Sequence, residues 1–157
     1  MRVAEVIRNG GIIKWVKGKK KKQDIIQELV SALANKYDFD KEEVIEGVLA
    51  REDVMSTGLG QGVAIPHTKA KSVTKAMLAI CQCEGGVEFN SLDGEPVHLI
   101  FLLVVPQNAS NFQIKILARI SRLLKHNYIR ERLNLLKTPE EVLEFISQEE
   151  ERHLPLP

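Results

Sequence analysis

The chain has 157 residues, 44% of them hydrophobic and 27% charged, with a formal net charge of +1. Such a length and composition describe one ordinary globular domain, able to bury a core without disulfide or metal staples. The near-neutral charge excludes a global field for nucleic acid or an anionic membrane, and the longest apolar run, residues 99–106, is far too short to cross a bilayer.

Charges at Arg2 and Glu5 and the lack of an apolar stretch after them predict no targeting signal, hence a soluble, cytoplasmic protein. Residues 12–16 predict a short strand, and the lysine-rich segment 17–22 a solvated turn. Ile25, Ile26, Leu29, Val30, Leu33 and Ala34 then recur at helical spacing. Asp40 and Glu43 form a capping box for the next helix, whose apolar stripe is Val44, Ile45, Val48 and Leu49, with Arg51 just past its end. Residues 52–75 are expected as a glycine-rich loop around a short strand at 63–65. Residues 76–83 and 98–105 predict buried strands, with Gly85-Gly86 turning the chain before 87–89. Cys81 and Cys83 alternate in the first of these strands; C-x-C is too tight for an ordinary bridge, so reduced thiols are expected.

Ser110 opens a helix with Phe112, Ile116, Leu117, Ile120, Leu123 and Leu124 inward, and Asn127 caps a short helix through Leu136. Thr138-Pro139-Glu140-Glu141 combines a cap, a proline at the first helical position and acids in the first turn. Val142, Phe145 and Ile146 face inward from that last helix. Residues 1–149 are predicted as the domain and 150–157 as a flexible tail. Interleaved helices and strands give the α/β class; periodicity does not order the strands.

The stretch from Arg51 to His67 carries the chemistry. Val63-Ala64-Ile65 reads as a strand ending at Pro66, which presents His67 at the lip of the fold. Gly58, Gly60 and Gly62 leave backbone N–H groups open for an anion. Arg51 offers a planar fork matching phosphate oxygens. Together they point to a histidine that carries a phosphoryl group. A neutral imidazole is a competent nucleophile near pH 7, provided its other ring nitrogen is held as a hydrogen-bond donor. The three glycines do not make a dinucleotide loop, because the third falls at Val63 in that pattern and no helix follows. No H-x-x-H, C-x-x-C or H-E-x-x-H spacing occurs, so neither a metal nor a cofactor is expected. His98, His126 and His153 read as structural or merely exposed.

Glu52, Ser56-Thr57-Gly58, Leu59-Gly60 and Val63-Ala64-Ile65-Pro66-His67, with Arg51, resemble the signature of the enzyme IIA domains of the fructose/mannitol class of the bacterial phosphoenolpyruvate-dependent phosphotransferase system. The likeness runs over residues 3–149 and takes in Asp93-Gly94-Glu95-Pro96 and Thr138-Pro139-Glu140-Glu141. It is strongest to the regulatory "nitrogen" branch, which occurs as a free-standing domain. The resemblance implies a mixed central sheet with helices on both faces, phosphoryl acceptance at His67 from the histidine phosphocarrier protein, and a phosphoryl clamp at Arg51. It also places Ser56 and Thr57 in the phosphoryl site. The family's second histidine, near the start of the helix after Pro106, falls here at Gln113, which can donate a hydrogen bond but carries no charge. Thr68 departs from the small residue usual after the histidine. The leading expectation is a nitrogen-regulatory phosphocarrier that acts on a regulated target protein. The alternatives are a sugar-specific component passing phosphoryl to a IIB domain, and a binding module that is not phosphorylated. No nucleic-acid partner and no membrane insertion are expected.

Overall fold

A computed structural model describes residues 1–156. Among them the chain forms α1 (Val3–Gly10), β1 (Gly11–Val16), β2 (Lys20–Lys21), α2 (Lys22–Lys36), α3 (Lys41–Val54), β3 (Gly58–Gly60), β4 (Val63–Ala64), β5 (His67–Ala70), β6 (Met77–Glu88), β7 (Val97–Pro106), α4 (Ser110–Leu124), α5 (Asn127–Leu135) and α6 (Pro139–His153). The strands make one mixed sheet in the order β1-β6-β7-β4-β3, with β2 added to β6 and β5 to β7. The β6/β7 pair at its centre is antiparallel, whereas β1 runs parallel to β6, and β4 and β5 run parallel to β7.

Strand alternation sorts the core into two layers. Ala79, Cys81, Ile100 and Leu102 face one side, where α2 and α3 bring Ile25, Leu29, Val44 and Val48. Leu78, Ile80, Phe101 and Leu103 face the other, where α1, α4, α5 and α6 bring Val6, Ile120, Leu133 and Ile146. Both central strands are covered on both faces, which is why they read as unbroken apolar runs. The two thiols lie side by side on the α2/α3 face and are free.

Several elements differ from expectation. Periodicity marks no element before residue 12, yet α1 forms there. It is only eight residues long and has no cap of its own. Its end is satisfied from the far end of the chain: the fully buried Glu150 accepts hydrogen bonds from the N–H groups of Val3 (2.6 Å) and Ala4 (2.9 Å) and pairs with Arg119 at 3.3 Å. The fold therefore does not stop at residue 149. Residues 150–153 are the last turn of α6, and the expected tail shrinks to 154–157, of which Pro157 lies outside the described residues.

The glycine pair Gly85-Gly86 does not turn the chain. β6 runs through it with a register shift between Gln82 and Val87, Gly86 taking φ +81° at the bulge. The lysine segment is not all solvated: Lys20 and Lys21 pair with Val87 and Glu88, and Lys22 opens α2. His126, not Asn127, holds the N-cap position of α5. At the other end of α5, the buried Gln82 amide donates to the carbonyls of Leu133 and Leu136, satisfying groups that a helix end leaves free. Thr138 caps α6 as its sequence predicts, accepting from Glu141 N–H at 3.2 Å.

Candidate functional site

Residues 52–75 are not a simple loop around one strand. β4 pairs Val63 and Ala64 with Leu99 and Ile100, and β5 pairs His67 with Leu103 in the same register. The two are one strand line broken at Ile65-Pro66. Proline has no N–H for the ladder, and its carbonyl takes the Leu103 N–H at 2.9 Å. The Ile65 N–H turns aside to the Thr57 carbonyl at 3.1 Å. The Ile65 carbonyl meets His67 Nδ1 at 2.8 Å. His67 thus opens a strand rather than following the end of one.

A carbonyl only accepts, so Nδ1 carries the proton and Nε2 keeps its lone pair. The ring is partly buried, and desolvation, its main influence, holds its pKa below the ordinary value of 6.5; the Arg51 charge adds to this, while the Ile65 carbonyl and Glu52 oppose it. His67 is consequently neutral at pH 7 and nucleophilic at Nε2.

Arg51 lies in the last turn of α3, not beyond it, and donates from Nη1 to the Met55 carbonyl at 2.7 Å. That bond fixes one arm of the fork and leaves its other N–H groups for a ligand. α3 is drawn close to β5 at Gly47, where a Cβ would collide with Thr68, the residue after His67. Its N-terminus is tied to the chain beyond β5: Asp40 caps it, and Glu43 accepts from the N–H groups of Lys71 and Ser72.

Ser56 donates its hydroxyl to the Phe89 carbonyl and accepts the Gly58 N–H at 3.0 Å. Thr57 gives both its N–H and its hydroxyl to the buried Glu52 carboxylate. The glycines play a different part from the anion cradle expected of them. Gly58 N–H is already engaged, and a Cβ there would strike Ser91 Oγ. Gly60 and Gly62, with φ +89° and +81°, turn β3 into β4, and Asp93 pins that turn by accepting the Gln61 N–H at 2.7 Å.

Arg51, Ser56, Thr57, Gly58 and His67 line one cleft of about 400 Å³. Four of the five expected site residues are brought together in it. Gln113 is not. It is buried in the second turn of α4, one turn before Leu117, and it is Leu117 and Ser121 that face the cleft. Sequence reasoning missed these two, along with the rim of Met55, Leu59, Asn90 and Leu92. Leu92, 95% exposed, had a usable signal: a large apolar residue directly before the polar turn Asp93-Gly94-Glu95. Among the described residues no cluster of histidine, cysteine or acid side chains has the arrangement to hold a metal ion, and no helix is long and apolar enough to cross a membrane.

The family model for "Phosphoenolpyruvate-dependent sugar phosphotransferase system, EIIA 2" matches residues 11–149. The chain belongs to this family. A nitrogen regulatory protein of Pseudomonas aeruginosa is 30% identical over 147 residues, covering 93% of this chain and 95% of its own. The fructose-specific EIIABC component of Bacillus subtilis is 37% identical over 131 residues, which is 82% of this chain but 20% of that much longer protein. The crystal structure of nitrogen regulatory protein IIA-Ntr from Neisseria meningitidis superposes with a TM-score of 0.80 at 31% identity, covering 92% of this chain and 98% of that one. The mixed sheet flanked by helices is thus the EIIA type-2 fold, and the protein is a phosphotransferase-system component of this class.

Proposed function

We propose that this EIIA protein accepts a phosphoryl group on Nε2 of His67 from the histidine phosphocarrier protein, and that its phosphorylation state sets which regulated partner it binds, as in a nitrogen-regulatory IIA. The observation that carries the reading is the bond from His67 Nδ1 to the Ile65 carbonyl, which leaves Nε2 unprotonated beside Arg51 in an open cleft. The Nε2 lone pair attacks phosphorus in line, and the bond from phosphorus to the donor's histidine nitrogen breaks with its electron pair returning to that nitrogen. The protein's task is positioning and charge stabilisation. Arg51 clamps the equatorial oxygens, while Ser56 and Thr57 shape the cleft wall. Gln113 is given no part in this reading, because it does not line the cleft; Leu117, one turn further along the same face of α4, does.

The test is transfer from phosphoenolpyruvate through enzyme I and the phosphocarrier protein, read by intact mass. One acid-labile phosphoryl group per chain is the expected result; none, with a working relay and folded protein, rejects the reading in favour of a module that acts by binding alone. A second reading, a sugar-specific component, draws on the 37% identity to the fructose-specific protein. Onward transfer to a IIB domain at a rate matching acceptance separates it from the regulatory one.

Three further results are expected. Arg51→Ala slows phosphoryl transfer about ten- to hundredfold, the value of a charge-assisted hydrogen bond of about 1.5–3 kcal/mol. Arg51→Lys recovers only part, since an ammonium has no fork; transfer at the normal rate in a folded Arg51→Ala protein removes the clamp. The acceptance rate is level around pH 7 and falls with a midpoint below 6.5, because protonation consumes the lone pair and the folded pKa lies below the ordinary value. Without the Arg51 charge that midpoint moves up, and a midpoint above 6.5 in the intact protein contradicts the electrostatics. Finally, Leu92→Glu raises the KM for the phosphorylated donor about tenfold with kcat kept, as expected for an apolar docking contact worth at least about 1.4 kcal/mol. An unchanged KM moves the docking face elsewhere.

A further inference from the structure

Lys22 sits where a cation is disfavoured. It is the first residue of α2, at the positive end of that helix, and its side chain is only 18% exposed, although its ammonium gains a cation–π contact with the Phe89 ring, 5.0 Å from its centre. What holds it there is Glu52, whose Oε2 lies 3.0 Å away. Glu52 follows Arg51 in the last turn of α3, but its side chain points inward and is only 3% exposed. The same carboxylate takes the N–H of Thr57 at 3.2 Å, and its hydroxyl as well. From Thr57 the chain of bonds continues without a gap. The Thr57 carbonyl accepts the Ile65 N–H at 3.1 Å, and the Ile65 carbonyl accepts His67 Nδ1–H at 2.8 Å.

We propose that Lys22 and Glu52 are positioning residues for the phosphoryl acceptor. Glu52 anchors Thr57 by two donors, and Thr57 in turn anchors the Ile65 peptide where Pro66 has broken the strand ladder. The Ile65 carbonyl is then held facing Nδ1, so the ring proton stays on Nδ1 and the lone pair on Nε2. Lys22 supplies the counter-charge that a carboxylate buried this deeply needs. As Nε2 gives up its lone pair to phosphorus, positive charge spreads over the ring and the bond from Nδ1–H to Ile65 strengthens, so the scaffold stabilises the transition state more than the resting imidazole. The inference rests on His67 being the acceptor. It adds a residue from α2, an element that contributes nothing to the cleft itself.

Two readouts test it, on the full chain. The first is nitrogen-15 NMR of the His67 ring in unphosphorylated protein, which reports the tautomer. The second is the rate of phosphoryl acceptance from the phosphorylated phosphocarrier protein. In Glu52→Gln and Lys22→Met the Nε2-protonated tautomer should grow at the expense of the Nδ1-protonated one. In both, kcat should fall about tenfold or more with KM for the donor within about twofold, the pattern of an interaction made in the transition state. Lys22→Arg should restore both signals, which a merely structural lysine would not require. Wild-type tautomer and wild-type kcat in either folded variant overturn the proposal, as does a Lys22→Arg protein no better than Lys22→Met. Should Glu52→Gln not fold, Lys22→Met decides alone. A wild-type protein that takes no phosphoryl group refutes the acceptor reading, whereas the tautomer measurement still decides the relay.

Discussion

His67→Ala loses phosphoryl acceptance altogether. The expectation is this sharp because none of the other three histidines lies in the cleft with Arg51. His98 is half-buried with Nδ1 against the Cys83 carbonyl at 2.9 Å, away from the cleft. His126 is stacked on His153 with ring centres 4.1 Å apart. His153 Nε2 is taken up by the Tyr128 hydroxyl at 2.5 Å and the Glu149 carboxylate at 3.4 Å. His98 holds Nδ1 on a carbonyl as His67 does, but the hollow that it lines contains no arginine. The substitution also removes a partly buried ring whose protonation opposes folding. The unfolded chain binds the His67 proton more readily than the folded one, since the folded pKa is depressed. Stability therefore holds above the ordinary value of 6.5 and declines as pH falls below it toward the folded pKa. His67→Ala should flatten that part of the stability profile while abolishing the label. Residual acid-labile phosphorylation of the alanine variant by the donor relay would show that another residue is the acceptor, and peptide mapping of the label would find it.

Glu150→Ala is expected to be the most damaging single change to the fold. It strips the two N-terminal N–H groups of α1 of their acceptor and leaves the Arg119 guanidinium, 14% exposed, without its buried partner. Removing one member of a buried pair costs about 3–5 kcal/mol, mainly through the uncompensated groups left behind. For a domain of this size that lowers Tm by about 6–20 °C. Glu150→Gln should cost less, since its one carbonyl oxygen still caps one N–H. Urea or thermal unfolding measures both, and a loss below about 1 kcal/mol for the alanine variant would mean that α1 is held by its apolar face alone. The cleft should survive in whatever fraction stays folded, because no residue of α1 or α6 lines it, although α4, which carries both Leu117 and Arg119, packs beside them. Reduced stability with a normal acceptance rate per folded molecule is thus the expected pair of observations.

Much of this protein was legible from local chemistry. The caps at Asp40 and Thr138 are satisfied within one turn, and the structure has them. The apolar runs of β6 and β7 are buried on both faces, so their identity needs no partner to be read. The α/β class followed from the interleaving of helices and strands along the chain, and the EIIA family from the Arg51–His67 stretch, where the residue types are constrained by one short segment of backbone.

What tertiary structure alone decided has a common physical cause: each feature depends on a group distant in sequence. α1 is too short to hold its own end, and its cap comes from residue 150. The pair Gly85-Gly86 suits a turn or a bulge equally, and only pairing with β7 selects the bulge. Gln113 matched the family position by count and lies on the same face of α4 as Leu117 and Ser121, yet it is these two, one and two turns further along the helix, that reach the cleft. The ring nitrogen left free on His67 is likewise invisible in sequence: the Ile65 carbonyl that decides it is only two residues away, but its peptide is oriented by the bond from the Ile65 N–H to the more distant Thr57 carbonyl. Sequence by itself singled out His67 and Arg51, which the fold places in one cleft. The fold decided the tautomer, the rim and the inward chain from Lys22, because those rest on hydrogen bonds between residues that only folding brings within 3 Å or so of each other.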